Sequence, residues 1–302
     1  MKPPCDEAVI HSRAAASPCD QRERLWILAT TIIGSSMAFI DSTVVNVALP
    51  ALQNSFGASV VGVQWVVEAY GLTLSALILV GGSMGDLFGR RKMFLFGVAI
   101  FATASIVCGL SANIHELIAA RAVQGIGAAF LIPGSLALIS ASFDEGERGR
   151  AIGTWSGFTA ITTAVGPVLG GWFIQHMSWR WAFFVNVPPA VAVIAIALWR
   201  VPESRSARAG GIDYRGTLAS TLGLAGLVFG FIESTTLGWK NPFVVGGVVV
   251  GVAALLVFLH LESRTESPIV PLTLFRSQAF SGANLLTLFL YAGVGIFSFC
   301  CH

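Results

Sequence analysis

Three ionisable residues of this 302-residue chain lie inside long apolar runs: Asp41, Glu68 and Arg121. A charge removed from water is expensive, so each is a functional candidate by default. Counted along a helix from the nearer end of its run, Asp41 lies roughly 13 Å deep, Glu68 roughly 12 Å and Arg121 roughly 7 Å. All three enter from the same side, at overlapping depths. A carboxyl group withdrawn from water holds its proton more tightly, and a nearby cation loosens it. A carboxyl group alternately wet and occluded beside an arginine is therefore suited to binding and releasing a proton. An Asp41–Arg121 or Glu68–Arg121 pair that merely orients helices would use the same residues, and Glu68 could equally line an aqueous cavity without titrating. Ser35, Ser42 and Asn46 share one stripe of the first run, which suits either a cavity wall or polar helix contacts. Glu233 and His260 fall at run ends, where snorkelling is cheap, and read as structural.

A second concentration of chemistry runs from Gly81 to Gly97, where Asp86, Arg90, Arg91 and Lys92 stand among glycines between two apolar runs. It reads as a tight charged turn at a membrane surface. Asp86 can pair with Arg90 at i,i+4 if the turn is helical, or cap a neighbouring helix. A third is Gly166-Pro167-Val168-Leu169-Gly170-Gly171, with Gly153 and Gly157 before it. Gly166 and Gly170 make a small-xxx-small face for close helix approach, and Pro167 removes a backbone bond.

The elements that must position these residues are membrane helices. Hydrophobic residues make up 55% of the chain and charged residues only 11%, about half the charged share of soluble domains. Nine runs approach the ~20 residues a crossing needs: Leu25–Leu49, Val60–Gly81, Met93–Ala112, Leu117–Ala141, Ala151–Ile174, Trp181–Trp199, Gly216–Ile232, Phe243–Leu261 and Phe280–Phe299. With the N-terminus inside, 15 of the 18 Lys+Arg fall on inner segments: Lys2, Arg13, Arg22, Arg24, Arg90, Arg91, Lys92, Arg148, Arg150, Arg200, Arg205, Arg208, Arg215, Arg264 and Arg276. Only Arg180 and Lys240 are outside. That bias predicts a multi-pass protein with a cytoplasmic N-terminus, and the expected location is the plasma (inner) membrane. Trp26, Trp172, Trp179, Trp181, Trp199 and Trp239 near run ends suit an interfacial belt.

Composition shifts divide the chain. Residues 1–24 read as a disordered cytoplasmic arm before an uncleaved first helix. Residues 25–199 form six helices, 200–215 a cytoplasmic linker, 216–261 a transmembrane hairpin, and 262–302 the start of a further unit. The ending at Cys300-Cys301-His302, without a polar tail, reads as a truncation. A net charge of +2 does not suggest nucleic acid. The five cysteines have no metal-ligand spacing, and Cys108 sits in an apolar run, so neither a metal site nor a disulfide framework is expected. No phosphate loop is present, so no nucleotide cofactor is expected. His115-Glu116 lacks the second histidine of a zinc protease, and no GxSxG occurs, so enzyme activity is not expected.

Four of these segments resemble the major facilitator superfamily, and more narrowly its fourteen-helix drug:proton antiporter branch. Gly82-Ser83-Met84-Gly85-Asp86-Leu87-Phe88-Gly89-Arg90-Arg91-Lys92 looks like the family's loop between helices 2 and 3, with Leu87 in place of a common basic residue. Arg121-Ala122-Val123-Gln124-Gly125-Ile126-Gly127 is similar to the helix 4 motif associated with proton coupling. Gly153 and Gly166–Gly171 match the helix 5 antiporter motif, although Thr162 stands where glycine is usual. Asp41-Ser42-Thr43-Val44-Val45-Asn46-Val47-Ala48-Leu49-Pro50 matches the helix 1 motif of the branch.

The resemblance implies an all-α polytopic fold with an N-terminal six-helix lobe, a two-helix insertion at 216–261, and the first helix of a C-terminal lobe. It implies proton-coupled efflux of small amphipathic or cationic compounds. In that cycle Asp41 would carry the proton or attract a cationic substrate, with Glu68 a second candidate by its depth, and Arg121 would modulate the acid's affinity for the proton. Gly82, Asp86, Gly89, Arg90 and Arg91 would form a cytoplasmic gate whose partner lies in the second lobe. Gly153, Gly166, Pro167, Gly170 and Gly171 would seal the lobe interface. The expected partners are the substrate, protons and the lipid bilayer. Two rival readings are a non-transporting remnant of such a transporter and a family importer of a metabolite.

Overall fold

A computed structural model describes residues 21–205, 214–265 and 276–300. Residues 1–20 of the predicted N-terminal arm and much of the two polar segments lie outside the described residues, whereas Gln21–Arg24, also read as disordered arm, form the first turn of α1. The described chain is helical throughout: α1 Gln21–Phe56, α2 Val60–Phe88, α3 Arg90–Leu110, α4 Ile114–Ser142, α5 Glu145–His176, α6 Trp181–Phe184, α7 Val187–Arg200, α8 Tyr214–Leu237, α9 Pro242–Glu262 and α10 Gln278–Cys300. The sixth predicted span is thus two helices, α6 and α7, that meet at Val185 and Asn186. Among the described residues, eight helical stretches are long and apolar enough to cross a membrane. The ninth predicted span, Phe280–Phe299, lies within α10.

Small residues decide how the helices pack, since lipid tails compete with any apolar side chain and only close approach gives an advantage. A Cβ on Gly97 of α3 would stand 2.8 Å from the Gly127 carbonyl of α4. A Cβ on Gly125 of α4 would collide with Tyr70 and Thr73 of α2. The Thr73 hydroxyl donates to the Ala122 carbonyl at 2.8 Å across the same contact. α5 packs chiefly on α1. The hairpin α8–α9 closes on Gly226 and Gly251 and rests on α2, with Trp65 against Phe229.

Several helix boundaries differ from the sequence reading. The glycine-rich segment predicted as a loop is mostly helix, because α2 continues to Phe88 and α3 begins at Arg90. Gly89 alone makes the turn, at φ +114°, a region essentially reserved for glycine. α1 likewise runs through Pro50 to Phe56. Trp179 is not part of an interfacial belt: it is buried, packs on Phe56 and donates to the Ser55 hydroxyl at 3.1 Å. Trp26, Trp172, Trp181, Trp199 and Trp239 are exposed.

Two core clusters matter for the site. One gathers Met37, Tyr70, Phe94, Val98, Phe101 and Leu131. The other gathers Val44, Val45, Leu52, Val66, Leu117 and Phe183. Polar side chains meet between them.

Candidate functional site

Asp41, on α1, is fully buried, and Arg121, on α4, is 1% exposed. Arg121 Nη1 lies 2.5 Å from Asp41 Oδ2. The same nitrogen donates to Gln124 Oε1 at 2.8 Å, and Arg121 Nε donates to the Val66 carbonyl at 3.0 Å. The other carboxylate oxygen, Asp41 Oδ1, accepts from Gln124 Nε2 at 2.9 Å and from Asn186 Nδ2 at 2.9 Å. The Ser105 hydroxyl accepts from Asn186 at 3.0 Å and donates to the Phe183 carbonyl at 2.8 Å. The guanidinium stands 4.3 Å from the centroid of the Tyr70 ring.

Five spans therefore converge on one carboxylate and its arginine. The local reasons are clear. Arg121 and Gln124, three apart on α4, share a face. Asn186 lies where the sixth span breaks, ahead of Pro188 and Pro189, and the Phe183 carbonyl there accepts from both the Asn186 backbone amide at 3.1 Å and the Ser105 hydroxyl. A buried ion pair persists when hydrogen bonds satisfy its remaining lone pairs and protons, and this one has them.

Glu68 is not in the network. It is half-buried on α2 and makes no hydrogen bond or ion pair among the described residues. Of the two pairs the sequence allowed, the structure contains Asp41–Arg121. Sequence reading missed Gln124, Asn186 and Ser105 as site residues. The available signal was a polar residue inside each apolar span, with Asn186 also marked by the prolines that follow.

At the other predicted segment, Asp86 pairs with Arg90 at 2.8 Å. The Arg90 amide donates to the Ser204 carbonyl at 2.9 Å. The Arg91 amide donates to Glu203 Oε1 at 3.0 Å, and the Arg91 guanidinium donates to the Val201 carbonyl at 2.9 Å. A Cβ on Gly89 would stand 2.7 Å from the Glu203 carboxylate. Among the described residues, the turn's partner is the segment after α7. Gly82 is in ordinary contact with Pro133.

On α5, Gly166 meets Thr43 and Gly170 meets Val44 of α1. Gly153, Gly157 and Gly171 face open space, and Pro167 is exposed. An exposed apolar stripe, Phe158, Ile161, Val165, Val168 and Trp172, completes that outer face.

Residues 31–221 match the Major Facilitator Superfamily model. The chain belongs to the major facilitator superfamily. It is 39% identical over 271 residues to the multidrug resistance protein Stp of Mycobacterium tuberculosis, covering 89% of this chain and 50% of that one. It is 35% identical over 277 residues to the methylenomycin A resistance protein of Bacillus subtilis, covering 90% and 59%. A puromycin resistance protein of Streptomyces alboniger is 38% identical over 271 residues, covering 89% and 53%. The chain thus spans about half the length of the curated relatives it matches.

Among solved structures, a peptide transporter POT in complex with sulfate superposes with a TM-score of 0.56 at 12% identity, covering 81% of this chain and 53% of that one. A bacterial homologue of the human lysosomal transporter Spinster gives 0.51 at 19% identity, covering 83% and 64%. These likenesses establish the fold. This superfamily member is a multi-pass membrane protein.

Proposed function

We propose that this superfamily member acts in proton-coupled efflux of small amphipathic or cationic compounds across the plasma (inner) membrane, with its N-terminus in the cytoplasm. The observation that carries the reading is the buried Asp41–Arg121 pair held by Gln124 and Asn186. Protonating Asp41 removes one charge of the pair and leaves Arg121 buried without its counter-ion. Loss of one partner of such a pair costs about 3–5 kcal/mol, so the helices holding it must shift or admit water. That is the means by which a proton moves a transporter. Glu68, half-buried and apart from the network, offers a second carboxylate to a cationic substrate. Relatives that confer resistance to antibiotics support export of organic compounds.

The test is dye efflux from proteoliposomes under an imposed pH gradient, using the protein expressed from its own reading frame. Efflux should follow the gradient, and Asp41→Asn should abolish that dependence. Gradient-driven export by Asp41→Asn would overturn the coupling role.

A second reading concerns the 302 residues taken alone, since the chain spans half the length of its relatives. Family transporters rock two lobes about a midplane site. One lobe by itself would bind lipid and protons without transport. Proton-coupled export by the purified 302-residue chain would overturn this second reading.

A further inference from the structure

We propose that α3 and α4 form a binding site for one anionic phospholipid, with Lys92 holding its phosphate and the groove above holding an acyl chain. The groove has a volume of about 370 Å³ and is lined by Phe96, Ala99, Thr103 and Val107 of α3 with Ala120 and Val123 of α4. Phe96, Val107 and Val123 are each nearly half exposed, so the groove opens on the outer surface of the bundle. Its floor is low where the small buried side chains of Ala104 and Ala120 lie between larger ones. Phe96, at the end of the groove nearer Lys92, packs edge-on against Phe130, with centroids 5.5 Å apart.

Shape alone gives little preference, because bulk lipid is as apolar as the groove. The preference comes from charge. Of the three consecutive bases at the start of α3, Arg90 is paired with Asp86, and Arg91 is tied to Glu203 and Val201. Lys92 is exposed and makes no hydrogen bond or ion pair among the described residues. The two acids nearest in the turn, Asp86 and Glu203, are engaged by Arg90 and Arg91, so neither neutralises it.

Lys92, Phe96, Ala99 and Thr103 stand at i, i+4, i+7 and i+11, which places them on one stripe of the helix. Ala99 lies roughly 10 Å and Val107 roughly 22 Å along the axis from Lys92. That span suits a phosphate at the lysine, a glycerol beside Phe96, and a chain running up the groove. A single basic residue near a membrane surface favours an anionic headgroup by about fivefold. The site shares no residue with the Asp41 network and does not depend on transport.

The experiment uses the 302-residue chain in nanodiscs of equal phosphatidylcholine and phosphatidylglycerol, extracted into detergent and weighed by native mass spectrometry. Wild type should retain one phosphatidylglycerol in about fivefold preference over phosphatidylcholine. Lys92→Gln should lose the preference and Lys92→Arg should keep it. Ala99→Trp or Thr103→Phe, which fill the groove from an exposed face, should lower retention of both lipids. Circular dichroism checks that each variant keeps its helix content. Equal retention of the two lipids by wild type would overturn the site, as would undiminished preference in Lys92→Gln. A lipid-free dimer in which the groove-filling variants become monomeric would assign the groove to a second copy instead.

Discussion

Asp41 is the residue on which the candidate site converges, and three donors fix its two oxygens. Asn186 is the donor that links it to the sixth span. Replacing Asn186 with alanine leaves the carboxylate with two of its three partners. A hydrogen bond to a charged group is worth about 1.5–3 kcal/mol, so Asn186→Ala should lower the thermal midpoint of the detergent-solubilised protein. If Asp41 carries the proton, the same change should also shift the pH profile of dye efflux, a readout that a purely structural asparagine would leave in place. Asn186→Asp should be worse than alanine, because it sets a second carboxylate against Asp41 in a buried site.

Two elements carry predictions of their own. α5 is held to α1 by the face of Gly166 and Gly170, and a Cβ at Gly166 would overlap Thr43. Gly166→Val should therefore push α5 away from α1 and reduce folded yield, with a destabilisation of about 1–3 kcal/mol. Gly171→Val, into open space, should be tolerated by the 302-residue chain; comparable loss in both variants would refute the packing account. At the α2–α3 turn, the Asp86–Arg90 pair has a half-exposed carboxylate and contributes about 1 kcal/mol at most. Glu203 instead accepts from the Arg91 backbone amide. Hydrogen exchange should show that amide losing protection in Glu203→Ala and keeping most of it in Asp86→Asn.

For the whole molecule, the prediction is orientation. If the bias of bases sets the topology, a cysteine placed at Lys92 should be labelled by impermeant maleimide only in inverted vesicles. A cysteine at Lys240 should be labelled in intact cells. Reversed labelling would turn the protein over and move the Asp41 network to the opposite half of the membrane. Exposed apolar faces on α5, α9 and α3 are what a membrane protein presents to lipid or to further helices, and they need no aqueous explanation.

Much of this was legible in the sequence, because a membrane restricts the choices. Backbone groups in lipid must bond within their own segment, so long apolar runs at Leu25–Leu49, Val60–Gly81 and their successors could only be helices. The cost of buried charge likewise singled out Asp41 and Arg121. Sequence could not choose between Asp41 and Glu68 as the arginine's partner, since both lie at similar depth and depth carries no information about which faces meet. Helix rotation and close approach made that choice, through Gly125 against Tyr70 and Thr73. Nor could it place Asn186 beside Asp41, 145 positions away, because the two meet only once the sixth span packs against α1 and α3. Composition along the chain determined that there would be membrane helices and which charges they bury. Only the packing of one helix face on another decided which of those charges meet.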